Sequence, residues 1–195
     1  NLRVLNQEGV KMTKEKLHEF TEEVEARFSI FAESVLSDYG GMHNLNQLMS
    51  TAMKNAKTGG DVLVVLRYSN GWLKVQLIDG VHVRSPQTGT DWSPLILNNG
   101  NRIMNGVEFN ERGEQVAFHV QNDDLTYTRI KAKSTTTGLR MAFFLGGLEY
   151  RLDNSRTIPA TSAILETLAV LKRYQEATLM SAEEQNNIAY QIKHG

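Results

Sequence analysis

The sequence predicts an α+β fold: N-terminal helices, then a mostly antiparallel β-sheet, then a long C-terminal helix. Three observations carry that expectation. Up to Gly59-Gly60 the apolar residues recur every three to four positions, the period of one helix face. From there to about residue 145 they alternate or cluster in short β-branched runs, the period of strands. After Pro159 the helical spacing returns and persists.

Residues 14–37 read as the first helix. Thr13 is its N-cap, and Glu15, Glu19, Glu22 and Glu23 lie early in it, where the helix dipole favours acids. Leu17, Phe20, Val24, Phe28, Phe31, Val35 and Leu36 would form one buried face, and Asp38-Tyr39-Gly40-Gly41 stops the helix. A second helix is expected over 43–56, with Leu45, Leu48, Met49, Ala52 and Met53 on its apolar side and Thr58-Gly59-Gly60 as its end. Val62 to Leu66 then reads as a strand. Ser69-Asn70-Gly71 is a hairpin turn, because Asn-Gly tolerates the positive φ angles of a type I′ turn, and Trp72 to Ile78 is the partner strand. Val81 to Arg84 reads as a further strand, and the Pro, Gly, Asn and Ser of 85–102 as a surface loop. A hairpin over 105–121, a strand near 125–132 and an apolar strand near 139–145 complete the β region. The closing helix is expected over 161–193. At 1.5 Å per residue it would be about 50 Å long, against a radius of gyration of about 16 Å for a compact domain of this size. It must protrude or lie along a partner.

Bulk composition bounds the function. The chain has 195 residues, 41% hydrophobic and 22% charged, so a packed core is expected. Its formal net charge is −1, which argues against a dedicated nucleic-acid module with a basic face. The absence of cysteine excludes disulfides, thiolate metal sites and cysteine nucleophiles. The longest apolar run, Met141 to Leu145, falls far short of the roughly 20 residues of a membrane helix. The chain begins at Asn1 and ends at His194-Gly195 within a helical pattern, which predicts a piece of a longer protein.

No catalytic constellation stands out. His18, His43, His82, His119 and His194 include no pair at helical i, i+4 spacing, and they read as isolated residues. His82 and His119, on predicted strands, are the pair a sheet would bring together. Gly40-Gly41, Gly59-Gly60 and Gly146-Gly147 fit no phosphate-binding pattern and read as turns and helix stops. Glu19, Glu22, Glu23 and Glu25 read as a solvated helix face, and Asp123-Asp124 as a turn. Phe118, Tyr127, Phe143, Phe144 and Tyr150 would serve base stacking only beside a basic groove. Arg129, Lys131, Lys133 and Arg140 are the one local basic cluster and the candidate DNA contact. No catalytic residue, cofactor or metal is expected.

Gly106-Val107-Glu108-Phe109-Asn110-Glu111-Arg112-Gly113-Glu114-Gln115-Val116-Ala117-Phe118-His119-Val120 is similar to a hairpin of the lambda-type family of tailed-phage portal proteins. The family pattern is Gly-(Ile/Val)-Glu-apolar-(Asp/Asn)-x-x-Gly-x-x-Val-Ala-(Tyr/Phe)-His-(Val/Ile). Other segments resemble the same family in order. Asn44 to Leu66 is a helix followed by Thr58-Gly59-Gly60-Asp61 and a strand. Leu73-Lys74-Val75-Gln76-Leu77-Ile78-Asp79 matches a Leu-x-Leu-Gln-x-Ile-Asp strand, although Gly80 follows it here. Arg156-Thr157-Ile158-Pro159 leads into Ile164 to Leu168 and Lys172-Arg173-Tyr174-Gln175-Glu176-Ala177, with Thr157 where the family usually has Gly. The resemblance spans roughly 42–190. It implies a structural subunit of a dodecameric ring at a capsid vertex, a conduit for DNA on which terminase and head–tail connectors dock. Residues 1–158 would be the wing-like domain and 159–195 a long helix toward the ring core. Arg156, Leu168, Leu171 and Tyr174 are the residues expected at subunit packing.

Overall fold

A computed structural model describes residues 13–86, 95–147 and 154–188. Helix α1 spans Lys14–Glu33, with the Thr13 side chain accepting from the Lys16 N–H as the N-cap. It ends sooner than 37. The Ser34 hydroxyl accepts from the Leu36 N–H, and a separate 3-10 turn, Val35–Ser37, follows. Such a serine competes with the helix for backbone groups and breaks it. Helix α2 spans Leu45–Gly59, longer at its C-terminal end than 43–56, and opens with a reciprocal Asn44–Gln47 capping box.

The strands follow as β1 (Asp61–Ser69), β2 (Trp72–Asp79), β3 (Leu95–Ile96), β4 (Arg102–Met104), β5 (Val107–Phe109), β6 (Gln115–Gln121), β7 (Tyr127–Lys131) and β8 (Ala142–Gly146). They form two sheets in the orders β2-β1-β8 and β3-β4-β5-β6-β7, and every pairing between these strands is antiparallel. The β1–β2 hairpin turns at Asn70 (φ 53) and Gly71 (φ 80), the type I′ geometry its Asn-Gly requires. Helix α3 spans Ser162–Ile188; the expected extension to 193 lies outside the described residues.

Two expectations in the β region are corrected. Val81 to Arg84 is no strand. The Asp79 carboxylate accepts from the Val81 N–H and starts a 3-10 turn over Gly80–His82, leaving only Val83 bridged to Val120. Within 85–102, Leu95–Ile96 and the beginning of β4 form a sheet edge; residues 87–94 lie outside the described ones.

Three layers result. The two sheets close on a core of Leu63, Val65, Val83, Val107, Phe109, Phe118, Val120, Ala132 and Ala142. Phe118 meets Phe144 of the opposite sheet edge to face at 5.2 Å. Val62 and Val64 point to the other face of β1, where α2 lies. Its Leu48, Ala52 and Ala56 are buried, a pure i, i+4 line. Met49 and Met53, one position on and turned about 100°, stay half exposed, contrary to the expected stripe. Helix α1 also departs from expectation, because none of its residues is buried. Phe20 and Phe28 remain about 43% and 44% exposed, and Phe31 stacks on Trp72 of β2 at 6.1 Å.

Candidate functional site

Among the described residues, helix α3 is the most exposed element. Every position from 163 to 186 is exposed. Ile164, Leu168 and Leu171 follow i, i+4, i+7 and line one face, each about half exposed, with Tyr174 beyond them. Leu165 and Val170 are equally bare on other sides. A helix apolar on several sides is one that packs on several sides.

Arg156 stands just before this helix and binds inward. Its guanidinium forks onto the Asp61 carboxylate at the start of β1, with Nε and Nη2 each 2.5 Å from an oxygen. Nη2 also donates to the Gly80 carbonyl at 2.7 Å, and Nη1 to the carbonyls of Val83 (2.9 Å) and Asn105 (3.1 Å). The Phe144 ring lies under it at 4.6 Å. One side chain therefore ties β1, β8, the turn after β2 and the β4–β5 turn together. Asp61 is 3% exposed, so this carboxylate depends on the fork for its compensation. Arg156 thus sits with the sheets, apart from the Leu168, Leu171 and Tyr174 surface it was grouped with in the sequence.

The basic cluster lies at the far edge of the second sheet. Arg129 forks onto Glu108 at 2.6 and 2.9 Å, and Lys133 pairs with Glu114. Lys131 and Arg140 have no carboxylate partner among the described residues. Of the aromatics beside this cluster, Phe118 is fully buried in the core and offers no stacking face, and Tyr150 lies outside the described residues.

The sequence reading missed a buried polar network. Glu108 is 0% exposed and accepts from both Arg129 nitrogens and from Asn101 Nδ2 at 2.6 Å, and meets His119 Nε2 at 3.1 Å. The Arg129 hydrogen bonds lead in holding its carboxyl down to about 2 from the usual 4.5, against burial, with Asn101 and His119 assisting. A signal was present: a lone acid flanked by Val107 and Phe109 in one strand, and a lone histidine flanked by Phe118 and Val120 in the next. His119 therefore meets Glu108, while His82 sits exposed in a 3-10 turn and no His82–His119 pair forms.

Among the described residues no group of three or more His, Asp or Glu side chains is placed to hold a metal ion. A cleft of about 320 Å³ is lined by Asp38, Tyr39, His43, Leu48 and Gln76, among others. Burial works to raise the Asp38 carboxyl, but the N–H groups of Met42, Gly40 and His43 outweigh it and bring it below the usual 3.8. That acid is occupied as a loop staple. Among the described residues no helix is long and apolar enough to cross a membrane.

A family model described as "Phage portal protein, lambda family" matches residues 3–195. No curated protein matches the chain.

Proposed function

Because the chain belongs to the lambda family of phage portal proteins, we propose that it is a structural subunit of a portal ring at the capsid vertex of a phage or prophage. It has no catalytic role in this reading. The observation that carries it is α3, a 27-residue helix about 40 Å long whose apolar side chains have no cover within the described residues. A cyclic ring supplies that cover from a neighbouring subunit, through a head-to-tail interface repeated around the axis. Residues 1–158 act as the wing-like body, and the segment from 159 onward, which carries α3, leads toward the ring core. The partners are other copies in a dodecamer, the capsid, terminase and head–tail connector proteins. DNA passes through the channel during packaging and ejection. The protein works in the virion, after assembly in the host cytoplasm.

The test is negative-stain electron microscopy of the intact protein, wild type against Leu168→Asp with Leu171→Asp. Both leucines are half exposed, so the chain tolerates the carboxylates as a monomer. An interface that buries them must desolvate two unpaired charges, at a cost of several kcal/mol. The expected result is wild-type rings with a central channel and dispersed variant subunits. Wild-type particles that stay monomeric or dimeric at high concentration would refute the ring, and variant rings would refute the interface.

A further inference from the structure

Within the described residues, the hydrogen bonds that tie α3 to the body run through the segment that precedes it, and every position from 163 to 186 is exposed. That segment is seated at backbone distance. The Ser155 hydroxyl accepts from Asn105 Nδ2 at 3.0 Å. The Thr157 hydroxyl donates to the Gly60 carbonyl at 2.7 Å and accepts from the Gly147 N–H at 3.1 Å. The Thr161 N–H reaches the Lys57 carbonyl at the end of α2. Glycines leave the room for this. A Cβ on Gly80 would lie 1.9 Å from Asp61 Oδ1 and 2.6 Å from Arg156 Nη2, and one on Gly146 would lie 2.4 Å from Thr157 Oγ1.

We infer that the Asp61–Arg156 clamp is the pivot that sets the angle at which α3 leaves the body, and thereby the number of subunits on which the ring closes. The inference rests on the ring proposed above. Its mechanism is leverage. For a helix about 40 Å long, a turn of about 10° at the pivot moves the far end by about 7 Å, more than one helical turn of 5.4 Å. A head-to-tail interface gives a closed ring only when the rotation between neighbours closes, and otherwise an open arc or filament. An element held at one end by a many-toothed clamp and bare elsewhere is where that rotation is decided. Arg156 and Asp61 are in this sense positioning residues.

The experiment counts subunits in rings of the intact protein by native mass spectrometry and class averaging. Gly80→Ala drives a methyl into the fork while keeping every donor and acceptor. Arg156→Lys keeps the charge but loses the planar fork. Arg129→Lys is the control, since it weakens a comparable fork, on Glu108, that does not touch the start of α3. The expected result is a changed or mixed subunit number, or open arcs, for the first two variants and the wild-type number for the control. Thr157→Val, which removes only the hydroxyl bonds to Gly60 and Gly147, replaces any variant that loses its native circular-dichroism spectrum. Folded pivot variants that all keep the wild-type number overturn the pivot alone, as does a control that shifts the number equally. A wild-type protein that forms no ring overturns the portal reading and the pivot with it.

Discussion

Replacing Glu108 with glutamine tests whether the paired strands β5 and β6 are held by a charge. The folded carboxyl lies near 2 and the usual value is 4.5, so the folded pKa is depressed. A depressed carboxyl contributes stability that is fully present above about 4.5 and is lost as the pH falls toward 2. The fall is worth about 3 kcal/mol at 1.36 kcal/mol per tenfold step. Water around the Arg129 side chain, 41% exposed, brings a realistic figure nearer 2 kcal/mol. Glu108→Gln removes the charge and turns an amide NH₂ toward the Arg129 and Asn101 donors. The expected loss is about 3 kcal/mol at pH 7, since a buried fork is broken from one side. The assay is urea denaturation of wild type and variant at pH 7 and pH 3, followed by circular dichroism. Titrating groups away from this network change alike in both proteins, so Glu108 and the His119 that faces it separate their pH dependence. Wild type should lose about 1.6 kcal/mol more than the variant between the two pH values. Equal losses would refute the buried ionised network.

Gly106→Ala and Gly113→Ala form a matched pair. Both glycines have left-handed φ, 81° and 79°, but a Cβ on Gly106 would lie 2.6 Å from the Arg84 nitrogen while one on Gly113 meets nothing within 4 Å. The expected losses by thermal melting are about 3 kcal/mol or more at Gly106 and about 1 kcal/mol at Gly113, and equal losses would contradict the packing at the β4–β5 turn. For the basic edge, Arg129 and Lys133 are held by carboxylates, leaving Lys131 and Arg140. Duplex DNA should therefore show no measurable retention of the chain at about 50 mM salt. Retention with a log–log salt slope near −4 would mean that all four cations are engaged, and would favour a nucleic-acid-binding module.

Periodicity and turn chemistry were legible. The end of α2 at Gly60, the Asn70-Gly71 turn, the 106–120 hairpin and the lone helix from Ser162 follow from neighbours a few residues apart. Asn105-Gly106 is a second Asn-Gly turn, from β4 to β5, with positive φ at both residues, but the three residues of β4 are too few to show a strand period. The α1 face illustrates the limit. Its spacing states which residues share a side, but whether that side is covered depends on other elements, and here Phe20 and Phe28 stay half exposed.

By itself, the sequence determined element types and order, the absence of cysteine chemistry, and a terminal helix too long for the body to hide. Those are local and compositional properties. Only the tertiary structure decided that the strands divide into two sheets, that Glu108 takes Arg129 and His119, and that Arg156 reaches Asp61 across 95 residues of sequence. The physical reason is range. Backbone preference acts over a few residues. A buried carboxylate has to be satisfied by whichever donor the folded chain brings within 3 Å, and sequence spacing carries no record of that partner.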